Sequence, residues 1–296
     1  MILTYHVNLA GPYHIKKGIP CQDSWAVKGS DQGLLVAAVA DGLGSEQHSD
    51  IGSFIAVHTA VDYCAERVTR DMTADEILNL IKRSFVFAYM AILQKTAADQ
   101  LDSSEYDTTL CMAVYDGTHL YYGQSGDSGI VILLENGEYR KVTAQQRDEE
   151  GNVFPLCFGP EKWEFGFVQN TVSSVLLMTD GVFEQICPPF WKDRQDCVNV
   201  LLARKFAEWF DCSKEEVPML QAAAGKYLAN YPDTVLYDDK TIIAMIHAEQ
   251  KASSKDKIRA KNKEKIAERA RIRAKTRARK RRKRNFKRRV YLKKKG

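Results

Sequence analysis

A chain of 296 residues with 45% apolar side chains has room for one sizeable core and the composition of an ordinary globular protein. Its formal charge of +5 conceals two opposed parts. From Lys251 onward there are 24 Lys/Arg against three acids (Asp256, Glu264, Glu268), which leaves the first 250 residues with 19 basic and 35 acidic side chains. No apolar run approaches the roughly 18 residues needed to cross a bilayer, and Met1-Ile2-Leu3-Thr4-Tyr5-His6 lacks the basic start and apolar core of a secretory signal, so a soluble cytoplasmic protein is expected.

Early strands are predicted over Thr4 to Leu9, Ser24 to Val27 and Leu34 to Ala40. Ile51, Phe54, Ile55, His58 and Val61 then repeat at helical spacing, which puts His58 on the apolar face as a core histidine rather than a ligand. Thr73-Ala74-Asp75-Glu76 is a capping-box start for a second helix running through Leu93, and the acidic stretch from Asp99 to Asp107 reads as a solvated loop. Strands follow at Thr109 to Tyr115, His119 to Gly123, Ile130 to Leu134, Tyr139 to Val142, Phe165 to Val168 and Ser173 to Met178, with hairpin turns at Asp116-Gly117 and Asn136-Gly137. A helical region with Trp209 and Phe210, punctuated by Pro189 and Pro218, occupies about 181 to 229 before a last strand from Thr241 to His247. The pattern alone gives an α+β fold.

Four aspartate-bearing segments stand out against this background: Asp41-Gly42, Gly126-Asp127-Ser128, Asp180-Gly181 and Asp238-Asp239-Lys240-Thr241. Apolar runs precede the first (Leu34 to Ala40) and the third (Val175 to Met178). A strand that ends in Asp-Gly gives the carboxylate a rigid base, and the glycine permits a sharp exit that leaves its own carbonyl accessible. Hard divalent cations, Mg²⁺ or Mn²⁺, prefer such oxygen donors, and several carboxylates gathered together need a cation to neutralise them. A lone Asp-Gly is ordinarily a turn, as Asp116-Gly117 illustrates.

Order and local wording distinguish the set. In sequence the chain reads Gln22-Asp23, Asp41-Gly42-Leu43-Gly44, Gly126-Asp127-Ser128, Thr179-Asp180-Gly181 and Asp238-Asp239-Lys240-Thr241. This succession resembles that of the metal-dependent protein serine/threonine phosphatases of type 2C, particularly their compact bacterial members. The resemblance covers most of residues 1–248 and none of 249–296, implying a catalytic domain over the former and a separate basic tail over the latter. It also implies a four-layer α-β-β-α sandwich, two antiparallel sheets flanked by helices, with strand-end carboxylates in a cleft between the sheets. By position, Asp41 would bridge two Mg²⁺ or Mn²⁺ ions, the Gly42 carbonyl would bind one of them, and Asp180 and Asp238 the other. Asp127 would help Asp180 hold a looser third ion, and Asp23 would act through metal-bound water. The implied reaction is hydrolysis of phosphoserine or phosphothreonine in a phosphoprotein, by direct attack of a metal-bridging hydroxide in a monomeric enzyme. Such chemistry needs no protein nucleophile. The seven cysteines agree, since none forms a CxxC pair or a Cys-x5-Arg loop, and their odd number suggests reduced thiols.

The chain departs from the family's pattern at several positions. A histidine often follows the first Asp-Gly, where Leu43 stands here, so a metal-bound water or a nearby histidine such as His48 would have to protonate the leaving group. The family's early phosphate-gripping arginine is Gly18, leaving Lys16 and Lys17 as candidate substrate-phosphate contacts, point charges without the arginine fork. The arginine after Gly-Asp-Ser is Gly129, and a Gly-Ser/Thr-Thr segment has become Asp107-Thr108-Thr109. All the metal carboxylates are retained, which favours an enzyme over the alternative, a catalytically weak phosphatase-fold scaffold that binds nucleic acid.

The tail is rich in helix formers, but Ile258, Ile266 and Ile272 build no continuous stripe, so a fraying helix or a disordered chain is expected. A solubilising role does not require Arg279-Lys280-Arg281-Arg282-Lys283-Arg284. Those residues point first to phosphate binding by counterion release, with RNA, DNA or a ribosome as partner. An anionic membrane surface, anchored by Phe286, Val290, Tyr291 and Leu292, comes next, and folding back on the acidic body is a third reading.

Overall fold

Strands buried on both faces must be apolar at every position, and the continuous runs of this chain become the inner strands of two packed sheets. The computed structural model describes residues 1–44, 46–188, 197–208, 214–233 and 235–248. In chain order they form β1 (Ile2–Leu9), α1 (Pro12–Lys17), β2 (Asp23–Gly29), β3 (Leu35–Asp41), α2 (Ser49–Ala65), α3 (Ala74–Asp99), β4 (Leu110–Tyr115) and β5 (Leu120–Ser125). There follow β6 (Gly129–Leu134), β7 (Tyr139–Lys141), β8 (Glu164–Val168), β9 (Val172–Met178), α4 (Asp180–Ile186), α5 (Val200–Ala207), α6 (Val217–Ala229) and β10 (Lys240–His247). Pro189, Trp209 and Phe210 lie outside the described residues, as does everything from residue 249 onward, including Arg279, Lys280, Arg281, Arg282, Lys283 and Arg284.

Among the described residues the strands make two five-stranded antiparallel sheets, in the orders β2-β3-β4-β5-β8 and β1-β10-β9-β6-β7. Their facing sides interleave Ala37, Val39, Cys111 and Ala113 with Ile130, Val175, Leu177 and Ile243. The opposite side of the first sheet, with Val36, Ala38, Met112 and Val114, is covered by α2 and α3. The opposite side of the second, with Val131, Leu176, Ile242 and Ala244, is covered by α4, α5 and α6. The architecture is therefore the expected α-β-β-α sandwich.

Local chemistry sets the boundaries. Thr73 Oγ1 accepts from the Glu76 backbone N–H at 3.3 Å while the Glu76 carboxylate accepts from the Thr73 N–H at 2.8 Å, completing the capping box of α3. That helix runs six residues past Leu93, to Asp99. Both hairpin turns form. Asp116 Oδ1 accepts from the Thr118 and His119 N–H groups at 2.7 and 2.6 Å, and Asn136 Oδ1 accepts from Glu138 at 2.9 Å.

Two expectations need correction. His58 is exposed and leans on Phe54, their ring centroids 4.2 Å apart. The buried face of α2 consists of Gly52, Ser53, Ala56, Val57, Ala60 and Val61, because a helix lying close on a sheet admits small side chains and drives larger ones to its flanks. The stretch from Asp99 to Asp107 is not wholly solvated either. It contains a short 3₁₀ turn, Ser103–Tyr106, whose Tyr106 ring is buried with its hydroxyl donating to Asp99.

Candidate metal centre

The carboxylates come from both sheets. Asp23 and Asp41 stand opposite each other in the β2–β3 register, at the same end of the first sheet. Asp127 lies in the turn that carries the chain from β5 in that sheet to β6 in the other, and Asp180 opens α4 directly after β9. One oxygen from each of Asp41, Asp127 and Asp180 lies within 4.8 Å of the others. Asp127 Oδ1 is buried with no hydrogen-bond partner among the described residues.

Threonines hold the backbone of this centre. The Thr108 hydroxyl and the Thr109 N–H both donate to the Asp41 carbonyl, at 2.9 and 2.8 Å, and Thr109 Oγ1 accepts from the Asp41 N–H at 2.9 Å. The Asp107-Thr108-Thr109 segment thus fixes the end of β3. On the far side, Thr179 Oγ1 donates to Asp23 Oδ2 at 2.7 Å and accepts from the Thr241 N–H at 3.2 Å, tying Asp23 to the second sheet. Gly181 is required by close approach, since a Cβ there would lie 2.2 Å from the Asp239 carbonyl oxygen.

The paired aspartates before β10 divide their work. Asp239 is buried and structural: its carboxylate accepts from the N–H groups of Gly11 and Gln22 at 2.6 and 2.7 Å, and lies 2.8 Å from His14 Nδ1. Asp238 is half-buried and lies outside the Asp41–Asp127–Asp180 triangle, near enough that its charge helps raise the carboxyls of Asp41 and Asp180.

Burial, then mutual repulsion, pushes the carboxyls of Asp41 and Asp180 well above the usual range. Burial also raises Asp127, opposed by the neighbouring Arg147 charge. Asp23 is pushed up to about 8 by burial and by the charge of Asp239, against the hydrogen bonds of Thr179 and Thr241. A cluster of this kind holds protons until a cation takes their place. Oxygen-only donors with one buried lone carboxylate oxygen suit a hard divalent ion.

The other sequence candidates are placed less centrally. Lys16 and Lys17 are exposed on α1, with Lys17 Nζ 6.0 Å from the Tyr13 ring centre, and no contact with the three carboxylates is found among the described residues. His48 occupies the N-cap position of α2 without a side-chain capping bond and stacks on Tyr106 at 5.2 Å, the loop-histidine alternative. Two residues were missed. Arg147 Nη2 lies 2.5 Å from Asp127 Oδ2, 3.2 Å from Asp180 Oδ2 and 3.3 Å from Glu184 Oε1. Glu184 had a signal, one helical turn beyond Asp180; Arg147 sits in the polar run Gln145-Gln146-Arg147-Asp148, which carries none.

Residues 10–228 match the model of the protein phosphatase 2C family. The chain belongs to that family. A relative of this 2C-family chain, serine/threonine-protein phosphatase 3 of Escherichia coli (strain K12), is 26% identical over 167 residues, which span 49% of this chain and 62% of that protein. Among solved structures, a serine/threonine phosphatase of S. agalactiae superimposes with a TM-score of 0.57 at 17% identity, covering 83% of this chain and 99% of that one. A C. elegans sex-determining protein gives 0.58 at 15% identity, covering 86% and 67%. These two likenesses concern the fold. Within the 2C pattern, Gly129 has a steric reason: a Cβ at this position would meet the Phe183 ring at 2.3 Å, so α4 packs where a side chain would otherwise stand. No helix among the described residues is long and apolar enough to cross a membrane.

Proposed function

We propose that this chain is a metal-dependent protein serine/threonine phosphatase, a hydrolase of phosphoserine and phosphothreonine esters in proteins. The observation that carries the reading is the approach of Asp41, Asp127 and Asp180 to within 4.8 Å, from three separated segments, around an unpartnered carboxylate oxygen. Asp41, the Gly42 carbonyl, Asp180 and Asp238 would hold two ions, Mg²⁺ or Mn²⁺, with Asp127 and Asp180 offering a third position. Such ions, when bound, activate water and steady the charge on phosphoryl oxygens.

The protein's own contribution is to fix the donors and to orient water. Thr108 and Thr109 hold the Asp41 backbone at the end of β3, which gives its carboxylate a fixed base. Asp23 Oδ2, oriented by the Thr179 hydroxyl, would polarise water held beside Asp41. Three buried cysteines are poorly suited to act as nucleophiles: burial pushes the thiols of Cys64 and Cys187 up to about 12 and raises that of Cys111 further.

The test is Mn²⁺-dependent release of phosphate from p-nitrophenyl phosphate and from a phosphothreonine peptide by the wild type, Asp41→Asn and Asp180→Asn. Turnover by the wild type that falls to background in both variants is expected. Equal turnover in all three, or none that depends on metal, overturns the reading.

A further inference from the structure

Arg147 presents a single nitrogen to three carboxylates, Asp127 and Asp180 of the centre and Glu184 at its rim, an arrangement that mimics how a metal ion gathers donors. Its contact with Asp127 is the tightest, and Asp127 is the most deeply buried of the three partners. The backbone that delivers it is anchored without help from the guanidinium. Gln146 N–H donates to the Gly126 carbonyl at 3.1 Å, Gln146 Oε1 accepts from the Gly126 N–H at 2.9 Å, and the buried Gln124 amide donates to the Ala144 carbonyl at 2.8 Å. Beyond Arg147 the chain turns on Asp148, whose carboxylate takes the Asn152 N–H at 2.7 Å, and Phe154 N–H returns to the Gln146 carbonyl at 3.1 Å. The loop base would hold its place if the arginine side chain left.

The side chain has somewhere to go. It is 34% exposed, whereas Asp127 is 1% exposed. Glu184 lies at the rim with 31% exposure and is held by Gln145 Nε2 at 3.1 Å, so an arginine swung outward can keep one carboxylate partner. A guanidinium and a divalent cation compete for Asp127 Oδ2, because like charges that close together repel strongly in a buried setting.

We infer that Arg147 is the built-in counter-cation of this centre, occupying the Asp127–Asp180 position when no divalent ion is bound and yielding it by a side-chain swing toward Glu184 and solvent. The inference rests on the metal-dependent reading above and adds a regulatory consequence. Binding at that position is opposed by the contacts Arg147 must give up, so occupancy there rises only at cation concentrations higher than the carboxylates alone would need. By reciprocity, a bound cation loosens Arg147 to the same degree.

The experiment uses the full chain, wild type and Arg147→Gln, stripped with chelator and titrated with Mn²⁺ by calorimetry, with thermal unfolding followed in parallel. Arg147→Gln should melt lower than the wild type without metal, gain more on adding Mn²⁺, and bind its weakest Mn²⁺ about five- to tenfold more tightly. Asp127→Asn in the Arg147→Gln background should abolish that gain, which locates it. Arg147→Lys keeps the charge with fewer contacts and should fall between, serving also if the glutamine variant does not fold. Mn²⁺ affinity unchanged or weaker in folded Arg147→Gln and Arg147→Lys overturns the inference. Tightening without any turnover leaves it standing and overturns only the phosphatase reading; no Mn²⁺ binding by any of the chains overturns both.

Discussion

The two helical layers cover sheets of equal strand number in different ways. Over β2-β3-β4-β5-β8 lie two long helices of 17 and 26 residues, packed through small side chains on α2 and large ones such as Ile81 and Phe85 on α3. Over β1-β10-β9-β6-β7 lie, among the described residues, helices of 7, 8 and 13 residues. The first of these begins with Asp180 and also carries Glu184. Asp41 ends a strand in the sheet backed by the two long helices, while Asp180 opens a short helix whose own Phe183 is buried against the other sheet. One half of the molecule thus serves as a platform, and the other joins packing directly to the metal centre.

The sharpest test of that contrast is a pair of core truncations. Phe85 is fully buried, edge-on to Trp163 and Phe165, and Phe183 is buried under α4 against Gly129. Phe85→Ala and Phe183→Ala should each lose about 3–5 kcal/mol in urea unfolding. Only Phe183→Ala should also weaken Mn²⁺ binding, because it loosens the helix that presents Asp180. Equal metal affinities in the two variants would dissolve the distinction between platform and presenter.

Next in size is the pH dependence of the metal-free protein. The folded chain keeps the Asp23 proton up to about pH 8, whereas an unfolded chain releases it near 4. Native stability should therefore fall as pH rises through that interval, by at most about 1.4 kcal/mol per unit for each proton so held. Asp23→Asn should flatten part of the slope in thermal melts under chelator. With Mn²⁺ it should cost about 10–100-fold in turnover, the usual penalty for a group that orients a metal's partners.

Smaller effects probe each layer singly. Gly129→Ala should lose about 1–3 kcal/mol, because the added methyl must displace the Phe183 ring. Thr73→Ala removes the α3 cap and should lose about 1 kcal/mol while leaving Mn²⁺ affinity untouched.

How much of this was legible in the sequence follows the same division. Strands buried on both faces declare themselves as unbroken apolar runs, so the places of Asp41 and Asp180 at the ends of β3 and β9 could be read directly. The thin parts of the packing are harder. Helix α2 buries glycine, serine and alanine, whose low hydrophobicity hides the true face and put His58 on the wrong side. Arg147 reaches the centre through a side-chain amide, Gln124, and a loop that folds back on the β5–β6 turn, and no local spacing encodes either contact. Asp239 stands next to Asp238 in the last motif, and its structural role shows only in its partners Gly11, Gln22 and His14.

Those same partners bear on how the molecule comes into being. The first strand pairs along its full length with the last, Ile2 opposite His247 and Leu9 opposite Lys240, and the last lies between β1 and β9 in its sheet. A nascent chain therefore exposes β1 long before its neighbour is translated, and the second sheet lacks an interior strand until residue 247 has emerged. Contacts of such long sequence separation form late and slowly. Asp238 and the Asp239 clamp arrive with that strand, so a prematurely terminated product would carry most of the carboxylates yet lack the Thr241 N–H bond to Thr179 that helps tie Asp23 to the second sheet. A chain cut before Lys240 should accordingly lose its affinity for Mn²⁺.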